Sequence, residues 1–244
     1  MAQVPVQVVS DYEAMSAEAA NIVADAVRAN PSLVLALPTG GTPLGMFKAL
    51  VAMVEAGELD LSAAIFFCLD EYVGVTPDDP NSLTGWLFRS FMDPAGVPRE
   101  HIHTVPSNDG SAGAMAYEAA LDALGGLELA VLGLGPNGHI AFNEPGSPAD
   151  SRTRELDLTQ QSIDQSAAYW APGSPVSTRA MTMGVATLLE ARRIVLIVSG
   201  EKKAEMLRRT LDDAPSAEVP ASWLQLAPGK TLVIADEAAA ARLK

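Results

Sequence analysis

The stretch LVLALPTGGTP, residues 33–43, joins an apolar run to a glycine-rich turn and then to a proline. An unbroken apolar run, without alternating polar positions, is typical of a strand buried on both faces, as in a parallel sheet. Thr42 followed by Pro43 indicates the start of a helix, because threonine can cap a helix and proline suits its first position. The stretch therefore predicts a buried strand, a tight turn and a helix, which together form one unit of an α/β fold.

The same unit recurs along the 244 residues of the chain. Apolar runs that predict strands occur at residues 6–9, 33–37, 64–69, 127–135, 193–199 and 231–236. Segments that predict helices occur at residues 11–29, 43–56, 112–125 and 201–213. Strands that alternate with helices, joined by right-handed crossovers, predict a Rossmann-like α/β fold with an open parallel sheet flanked by helices. We expect a single domain over residues 1–244.

One segment, residues 144–180, departs from this pattern. It is polar, rich in proline, glycine, serine and threonine, and only weakly periodic. Such a segment indicates either a lid over a binding site or an ordinary surface insertion.

Charge and cysteine content narrow the class of protein. The formal net charge is −14, which argues against a nucleic-acid-binding surface because such a surface needs a basic footprint. A small anionic substrate is still allowed, since a few local positive groups can bind it. The one cysteine, Cys68, lies in an apolar run, so we expect a small buried side chain and a reducing compartment. The first residues do not resemble a signal peptide and no run is long enough to span a membrane, so we expect a cytoplasmic protein.

The turn at residues 39–42, which are Thr39, Gly40, Gly41 and Thr42, is a candidate anion site. Ligands of open parallel sheets bind at the carboxyl ends of strands, where glycines expose backbone N–H groups and a helix N-terminus adds a favourable dipole. The turn matches neither the GxxxxGK[ST] nor the GxGxxG pattern. It therefore favours one phosphate on a small molecule over ATP or a dinucleotide, and the alternative is a plain strand–helix turn.

Asp70 and Glu71 directly follow the predicted strand at 64–69. A carboxylate held at a strand end is suited to act as a general base. The alternative is that both acids serve the turn as capping residues.

The glycine-rich stretch GLGPNGHIAFNEPGSP, residues 133–148, follows another predicted strand and contains Asn137, His139 and Glu144. Histidine can carry protons near neutral pH, and a carboxylate that accepts from its ring fixes the tautomer. A lone histidine is more often structural, but its place at a strand end beside an amide and an acid favours catalysis.

A fourth strand end, at Ser199 and Gly200, precedes a predicted helix whose first turn contains Lys202 and Lys203. Cations in a first turn oppose the helix dipole, so one of them is a candidate to face an anion. The alternative is a pair of solvated lysines.

These strand ends share one predicted edge of the sheet. A phosphate cradle, a carboxylate and a histidine in one place favour proton transfer on a phosphorylated sugar, with no cofactor. A metal site is not expected, because His101 and His103 show no zinc-like spacing from His139.

The motifs LPTGGTP, LDEYVG, GHIAFNEP and SRTR occur in this order along the chain. In order and spacing the whole chain resembles the glucosamine-6-phosphate deaminases, also called glucosamine-6-phosphate isomerases, and GHIAFNEP is specific to them. The related 6-phosphogluconolactonases have motifs like DER and DGHTASLFP at the corresponding places. The resemblance implies a fold of the ribose-phosphate isomerase and CoA transferase type.

The resemblance also implies a reaction and roles for residues. The family converts glucosamine 6-phosphate and water into fructose 6-phosphate and ammonia. By resemblance, Asp70 is the base that moves the proton from C2 to C1, and His139 opens the sugar ring. Glu144 holds and polarises His139, and Asn137 completes the group.

The remaining implied residues bind the substrate. The phosphate lies against Gly41 and Thr42, with Thr39 and Gly40 beside them, and Lys203 is its charged partner. Gly133 lines the sugar site.

The chain also differs from the family. The family lid brings an arginine to the phosphate in a stretch like ANSRFF, whereas residues 164–170 read DQSAAYW, with alanine at 167 and 168. We expect a weaker phosphate site or a substitute such as Arg179. Leu83 and Thr84 stand where some members have a tyrosine pair. The lysine that follows SRTR in allosteric members is missing here, so we expect a short, non-allosteric enzyme that N-acetylglucosamine 6-phosphate does not activate.

Three alternatives remain open from the sequence. The substrate could be a related sugar phosphate such as galactosamine 6-phosphate, or the chain could be a 6-phosphogluconolactonase. A non-enzymatic sugar-phosphate sensor is disfavoured, because the chain is acidic and begins directly with the α/β pattern. Family members range from monomers to hexamers, so a homo-oligomer is among the expectations.

Overall fold

The computed structural model describes residues 3–167, 170 and 176–243. Within these residues there are ten strands and eight α-helices. The strands are β1 (Val6–Val9), β2 (Val34–Leu37), β3 (Ile65–Cys68), β4 (Asp70–Tyr72), β5 (Ile102–His103), β6 (Leu129–Gly133), β7 (Arg154–Asp157), β8 (Arg179–Thr182), β9 (Arg193–Val198) and β10 (Thr231–Asp236). The helices are α1 (Tyr12–Ala29), α2 (Leu44–Glu55), α3 (Leu83–Leu87), α4 (Gly110–Ala123), α5 (Gln160–Ala167), α6 (Val185–Glu190), α7 (Ala204–Asp212) and α8 (Glu237–Ala240).

Seven strands form one parallel sheet, in the order β1-β10-β9-β6-β2-β3-β5. The prediction of an open parallel sheet is confirmed, and each of the six predicted strands is present with bounds shifted by two residues or fewer. The middle strands are almost wholly buried because their side chains are apolar on both faces, and Cys68 is buried with them. The strands β9, β6, β2 and β3 are neighbours, so their carboxyl ends lie side by side.

Three helix starts differ from the sequence prediction, and one of them is that of α4, which begins at Gly110 and not at residue 112. Helix α1 begins as expected, with Asp11 accepting a 2.8 Å hydrogen bond from the N–H of Ala14. Helix α2 begins at Leu44, with Pro43 in the cap position and no side-chain cap, so the prediction that Thr42 caps this helix is wrong. The predicted helix at 201–213 begins with a 3₁₀ turn, Glu201–Lys203, and becomes α-helical at Ala204.

The segment 144–180 contains regular structure that the sequence did not predict. Strand β8 pairs with β4 on one side and with β7 on the other, forming a second, antiparallel sheet of order β4-β8-β7. Helix α5 lies between β7 and β8 along the chain. The small sheet positions the residues that follow β3, because β3 ends at Cys68 and β4 begins at Asp70.

In the part of the chain that the structure describes, no helix combines the length and the apolar character that crossing a membrane requires.

Candidate active site

A cleft lies at the carboxyl edge of the four central strands and has a cavity volume of about 240 Å³. Eight of the ten predicted site residues line it. They are Thr39, Gly40, Gly41, Thr42, Asp70, Gly133, His139 and Lys203. The other two, Asn137 and Glu144, are buried and contact His139. The chain therefore brings residues from the ends of β2, β3, β6 and β9 into one place.

The turn between β2 and α2 provides backbone donors. Gly40 has a φ of +93°, a conformation that favours glycine. Among the described residues, the N–H groups of Gly40, Gly41 and Thr42 donate to no protein acceptor. Free donors beside an uncapped helix N-terminus can bind an anion.

Lys203 is the cation among the described residues that line the cleft. It is half-buried and forms no ion pair with any described acidic residue, whereas the adjacent Lys202 is exposed and lies outside the lining. Burial lowers the pKa of Lys203 to about 8. A desolvated ammonium without a carboxylate partner is suited to pair with a phosphate.

Arg179 does not take the place of the missing lid arginine. It lies on β8, where its guanidinium contacts the carboxylates of Glu155 and Asp157, and it does not line the cleft. Ala167 is the last residue of α5, and Ala168 lies outside the described residues.

Asp70 is the first residue of β4 and pairs in register with Thr182 of β8. Its side chain is buried, and Oδ1 has no hydrogen-bond partner among the residues that the structure describes. Burial raises the pKa of Asp70 to about 7, and the negative charge of Glu71 adds to this effect. A carboxylate with this pKa and a free oxygen can accept a proton near neutral pH.

Glu71 has a different role from its neighbour. Its Oε1 accepts from the N–H groups of Tyr72 (2.8 Å) and Leu83 (3.1 Å). Its Oε2 accepts from the Ser82 hydroxyl (2.5 Å) and the Thr84 N–H (3.0 Å). Glu71 thus holds the start of helix α3, so the capping interpretation applies to Glu71 but leaves Asp70 free.

His139 faces a carboxylate with its inner ring nitrogen. Nδ1 lies 3.5 Å from Oε1 of Glu144, and Oε2 of Glu144 accepts a 2.6 Å hydrogen bond from Asn137 Nδ2. The side-chain oxygen of Asn137 accepts a 3.2 Å hydrogen bond from the backbone N–H of His139. Burial acts to raise the pKa of Glu144, but the nearby His139 imidazole and the hydroxyl donors outweigh burial, so the pKa lies below its usual value. An ionised Glu144 favours a proton on Nδ1 and leaves Nε2 free to exchange protons with a ligand.

The glycines of this loop give the imidazole its space. A methyl group at Gly135 would lie 2.2 Å from Cδ2 and 2.3 Å from Nε2 of His139. Gly138 has a φ of +87° and closes the turn. Ala141 also lines the cleft and has a φ of +49°, which is unusual for a residue with a side chain.

Sequence reasoning assigned no role to several residues of the site. Thr159 and Ser162, near the start of α5, contact Glu144 and His139. Both lie in the stretch LTQQS, residues 158–162, and nothing in its letters shows which side chains face the histidine. Leu83, which the comparison with the family singled out, also lines the cleft. The lining further includes residues that the sequence did not single out, among them Tyr72, Trp86, Phe142, Gln165, Ser166 and Trp170.

The other two histidines lie away from this group. Nδ1 of His101 is 2.8 Å from the Ser62 carbonyl oxygen, and His103 stacks on Phe67 with ring centroids 4.3 Å apart. Within the described ranges, no group of three or more His, Cys, Asp or Glu side chains is arranged to hold a metal ion.

Sequence comparisons identify relatives along nearly the whole chain. A family model described as glucosamine-6-phosphate isomerases/6-phosphogluconolactonase matches residues 10–233. The chain is 44% identical over 242 residues to a glucosamine-6-phosphate deaminase of Rhodopirellula baltica, which covers 98% of this chain and 96% of that protein. It is 38% identical over 232 residues to a glucosamine-6-phosphate deaminase of Thermoanaerobacter pseudethanolicus, which covers 94% of this chain and 91% of that protein.

Solved structures give the same grouping. A monomeric glucosamine-6-phosphate deaminase matches with a TM-score of 0.93 and 36% identity, covering 98% of this chain and 99% of that one. The 6-phosphogluconolactonase of Trypanosoma brucei matches with a TM-score of 0.76 and 19% identity over the whole of both chains. The second likeness is one of fold alone.

Proposed function

The chain belongs to the glucosamine-6-phosphate isomerase and 6-phosphogluconolactonase family, and within it to the glucosamine-6-phosphate deaminases; we propose that its cleft converts glucosamine 6-phosphate and water into fructose 6-phosphate and ammonia. The observation that carries the proposal is the cleft itself. It combines a buried carboxylate that has a free oxygen, Asp70, with a histidine held by a carboxylate, His139. Proton transfers at two places on one sugar need such a pair of groups.

Ring opening is the first step. Nε2 of His139 takes the proton from the O1 hydroxyl and delivers it to the ring oxygen O5, so the C1–O5 bond breaks and C1 becomes an aldehyde. Glu144 stabilises the protonated imidazole while the proton is in transit, and Asn137 orients the carboxylate.

Isomerisation follows at the opened end. Asp70 removes the proton from C2, the ammonium group on C2 gives a proton to the C1 carbonyl oxygen, and an enolamine forms. Asp70 then returns its proton to C1, which leaves an imine at C2. Water adds to this carbon and ammonia leaves, giving fructose 6-phosphate. Moving one proton from C2 to C1 suits a single carboxylate whose pKa is raised to about 7.

The phosphate anchors the far end of the substrate. The N–H groups of Gly40, Gly41 and Thr42 donate to its oxygens, and Lys203 supplies the positive charge. A Cβ at Gly133 would meet no atom within 4 Å, so this position gives the sugar room beside the cradle. Binding energy from the phosphate positions C2 against Asp70, although the phosphate itself does not react.

The experiment is a coupled assay of the purified protein for ammonia and fructose 6-phosphate. The proposal expects both products in equal amounts from glucosamine 6-phosphate. A parallel arm with galactosamine 6-phosphate tests the related sugar, and an arm with 6-phosphogluconolactone tests hydrolysis of the lactone. Lactone hydrolysis without ammonia release would favour the lactonase alternative, and tight binding without turnover would favour a sensor.

Several sequence expectations stay predictions. These are the single domain, the cytoplasmic location, the oligomeric state, the absence of a cofactor and the insensitivity to N-acetylglucosamine 6-phosphate.

A further inference from the structure

Two hydroxyl side chains at the start of helix α5 contact the His139–Glu144 pair. Thr159 Oγ1 lies 2.9 Å from Oε2 of Glu144, and Ser162 Oγ lies 3.4 Å from Nδ1 of His139. Ser162 is buried, so this contact is shielded from water. From this arrangement we infer that Thr159 and Ser162 are positioning residues for ring opening, which makes the orientation of His139 depend on the seating of helix α5. The inference rests on the proposed roles of His139 and Glu144.

The geometry of Thr159 directs its proton to Glu144. Thr159 immediately precedes α5, and its Oγ1 accepts from the N–H of Ser162 at 3.3 Å, as the side chain of a helix-capping residue does. Oγ1 also accepts from Asn137 Nδ2 at 3.1 Å. With both lone pairs engaged, the hydroxyl proton can go to Glu144 Oε2 at 2.9 Å or to Ser162 Oγ at 3.2 Å, and the nearer, ionised carboxylate is the stronger acceptor. The Thr159 side chain therefore caps helix α5 and holds Glu144 at the same time.

Ser162 acts on the imidazole. Its Oγ and Oε1 of Glu144 lie at nearly equal distances from Nδ1 of His139, 3.4 and 3.5 Å. The Glu144 carboxylate can only accept, so it favours a proton on Nδ1, and Ser162 Oγ can accept from the same N–H. This arrangement keeps Nε2 unprotonated and able to take the O1 proton of a sugar.

The other end of α5 is attached to the element that carries the base. Tyr72 of β4 donates a 2.7 Å hydrogen bond to Ser166 Oγ, and β4 begins with Asp70. Both Ser162 and Ser166 line the cleft. Helix α5 thus contacts the ring-opening pair near its first turn and the isomerising strand near its last.

The test replaces the hydroxyls one at a time. Thr159→Val keeps the shape of the side chain and removes the hydroxyl, Thr159→Ser keeps the hydroxyl, and Ser162→Ala removes the second contact. We expect Thr159→Val and Ser162→Ala to lower kcat about tenfold on glucosamine 6-phosphate with KM nearly unchanged, and Thr159→Ser to restore most of it. We also expect the ¹⁵N resonances of the His139 ring, measured without substrate, to shift in Thr159→Val and Ser162→Ala toward those of the tautomer with its proton on Nε2.

Thr187→Val is the matched control. Thr187 is buried, and its hydroxyl also donates to a glutamate, Glu118, at 2.6 Å, but it does not line the cleft. We expect wild-type kcat and unchanged His139 resonances in this variant. An equal loss of kcat in Thr159→Val and Thr187→Val, or unchanged His139 resonances in Thr159→Val and Ser162→Ala, would overturn the inference.

The outcomes also separate this inference from the proposed function. If His139→Gln retains wild-type turnover, the proposed site itself is wrong. If His139→Gln is inactive while Thr159→Val and Ser162→Ala are fully active, the site stands and only the positioning role fails.

Discussion

The imidazole of His139 packs against the backbone of Gly135 so closely that a methyl group there would lie 2.2 Å from a ring carbon. We predict that Gly135→Ala displaces the imidazole from Glu144 and lowers kcat by about a hundredfold, as loss of a general acid–base group does. The measurement is steady-state turnover of glucosamine 6-phosphate. Gly229→Ala is the control, because a methyl group at Gly229 meets nothing within 4 Å. Turnover in Gly135→Ala close to that of Gly229→Ala would contradict the prediction.

Asp70→Asn removes the proposed base with little change in shape. We expect kcat to fall by roughly 10²–10⁴-fold, the usual contribution of a general base. Substrate affinity should stay near that of the wild type, because the phosphate contacts are intact, and equilibrium binding of glucosamine 6-phosphate measures it. Near-normal turnover would remove Asp70 from the mechanism.

Lys203 supplies the positive charge of the phosphate site. We expect Lys203→Met to raise KM for glucosamine 6-phosphate by about tenfold to a hundredfold, because a hydrogen bond to a charged group is lost. The adjacent, exposed Lys202 is the matched control, and Lys202→Met should leave KM unchanged. If the two substitutions raise KM equally, long-range charge rather than direct contact explains the effect.

The pH dependence of kcat/KM follows from two groups of the free enzyme. Asp70, with a pKa of about 7, must be ionised to accept a proton, so activity falls below that pH. Lys203, with a pKa of about 8, must be protonated to bind phosphate, so activity falls above that pH. We expect a narrow bell between these values. In Lys203→Met the alkaline limb assigned to Lys203 should disappear while the acid limb remains, and an unchanged alkaline limb would assign it to another group.

Much of the fold was predictable because the central strands are apolar on both faces. Such runs have few alternatives to a buried parallel sheet, and β2 and β3 illustrate this. The antiparallel sheet was not predictable in this way. Strands β7 and β8 are short and mix polar with apolar residues, and β4, which pairs with β8, lies far away along the chain.

The candidate site likewise has a part that the sequence predicts and a part that it does not. Asp70 and His139 follow strong strand signals, so their meeting at one edge could be expected. The separate roles of Asp70 and Glu71 depend on whether the turn before α3 donates to one carboxylate or the other, and adjacent letters do not contain that information. The contacts of Thr159 and Ser162 depend likewise on where α5 lies over the cleft.

The buried carboxyl of Asp70, with its unpartnered oxygen, has a consequence for the thermal stability of the protein. Because the folded state raises the pKa of this carboxyl to about 7, folding favours its neutral form. The contribution of the Asp70 carboxyl to stability is fully present below its pKa in the unfolded chain, ~4, and is lost as the pH rises through about 7. We expect Asp70→Asn to gain in melting temperature relative to the wild type as the pH rises from 5 to ~8, and scanning calorimetry measures this. The enzyme would then be most active in the pH range where ionised Asp70 destabilises the native state most, so catalytic activity is gained at the expense of stability.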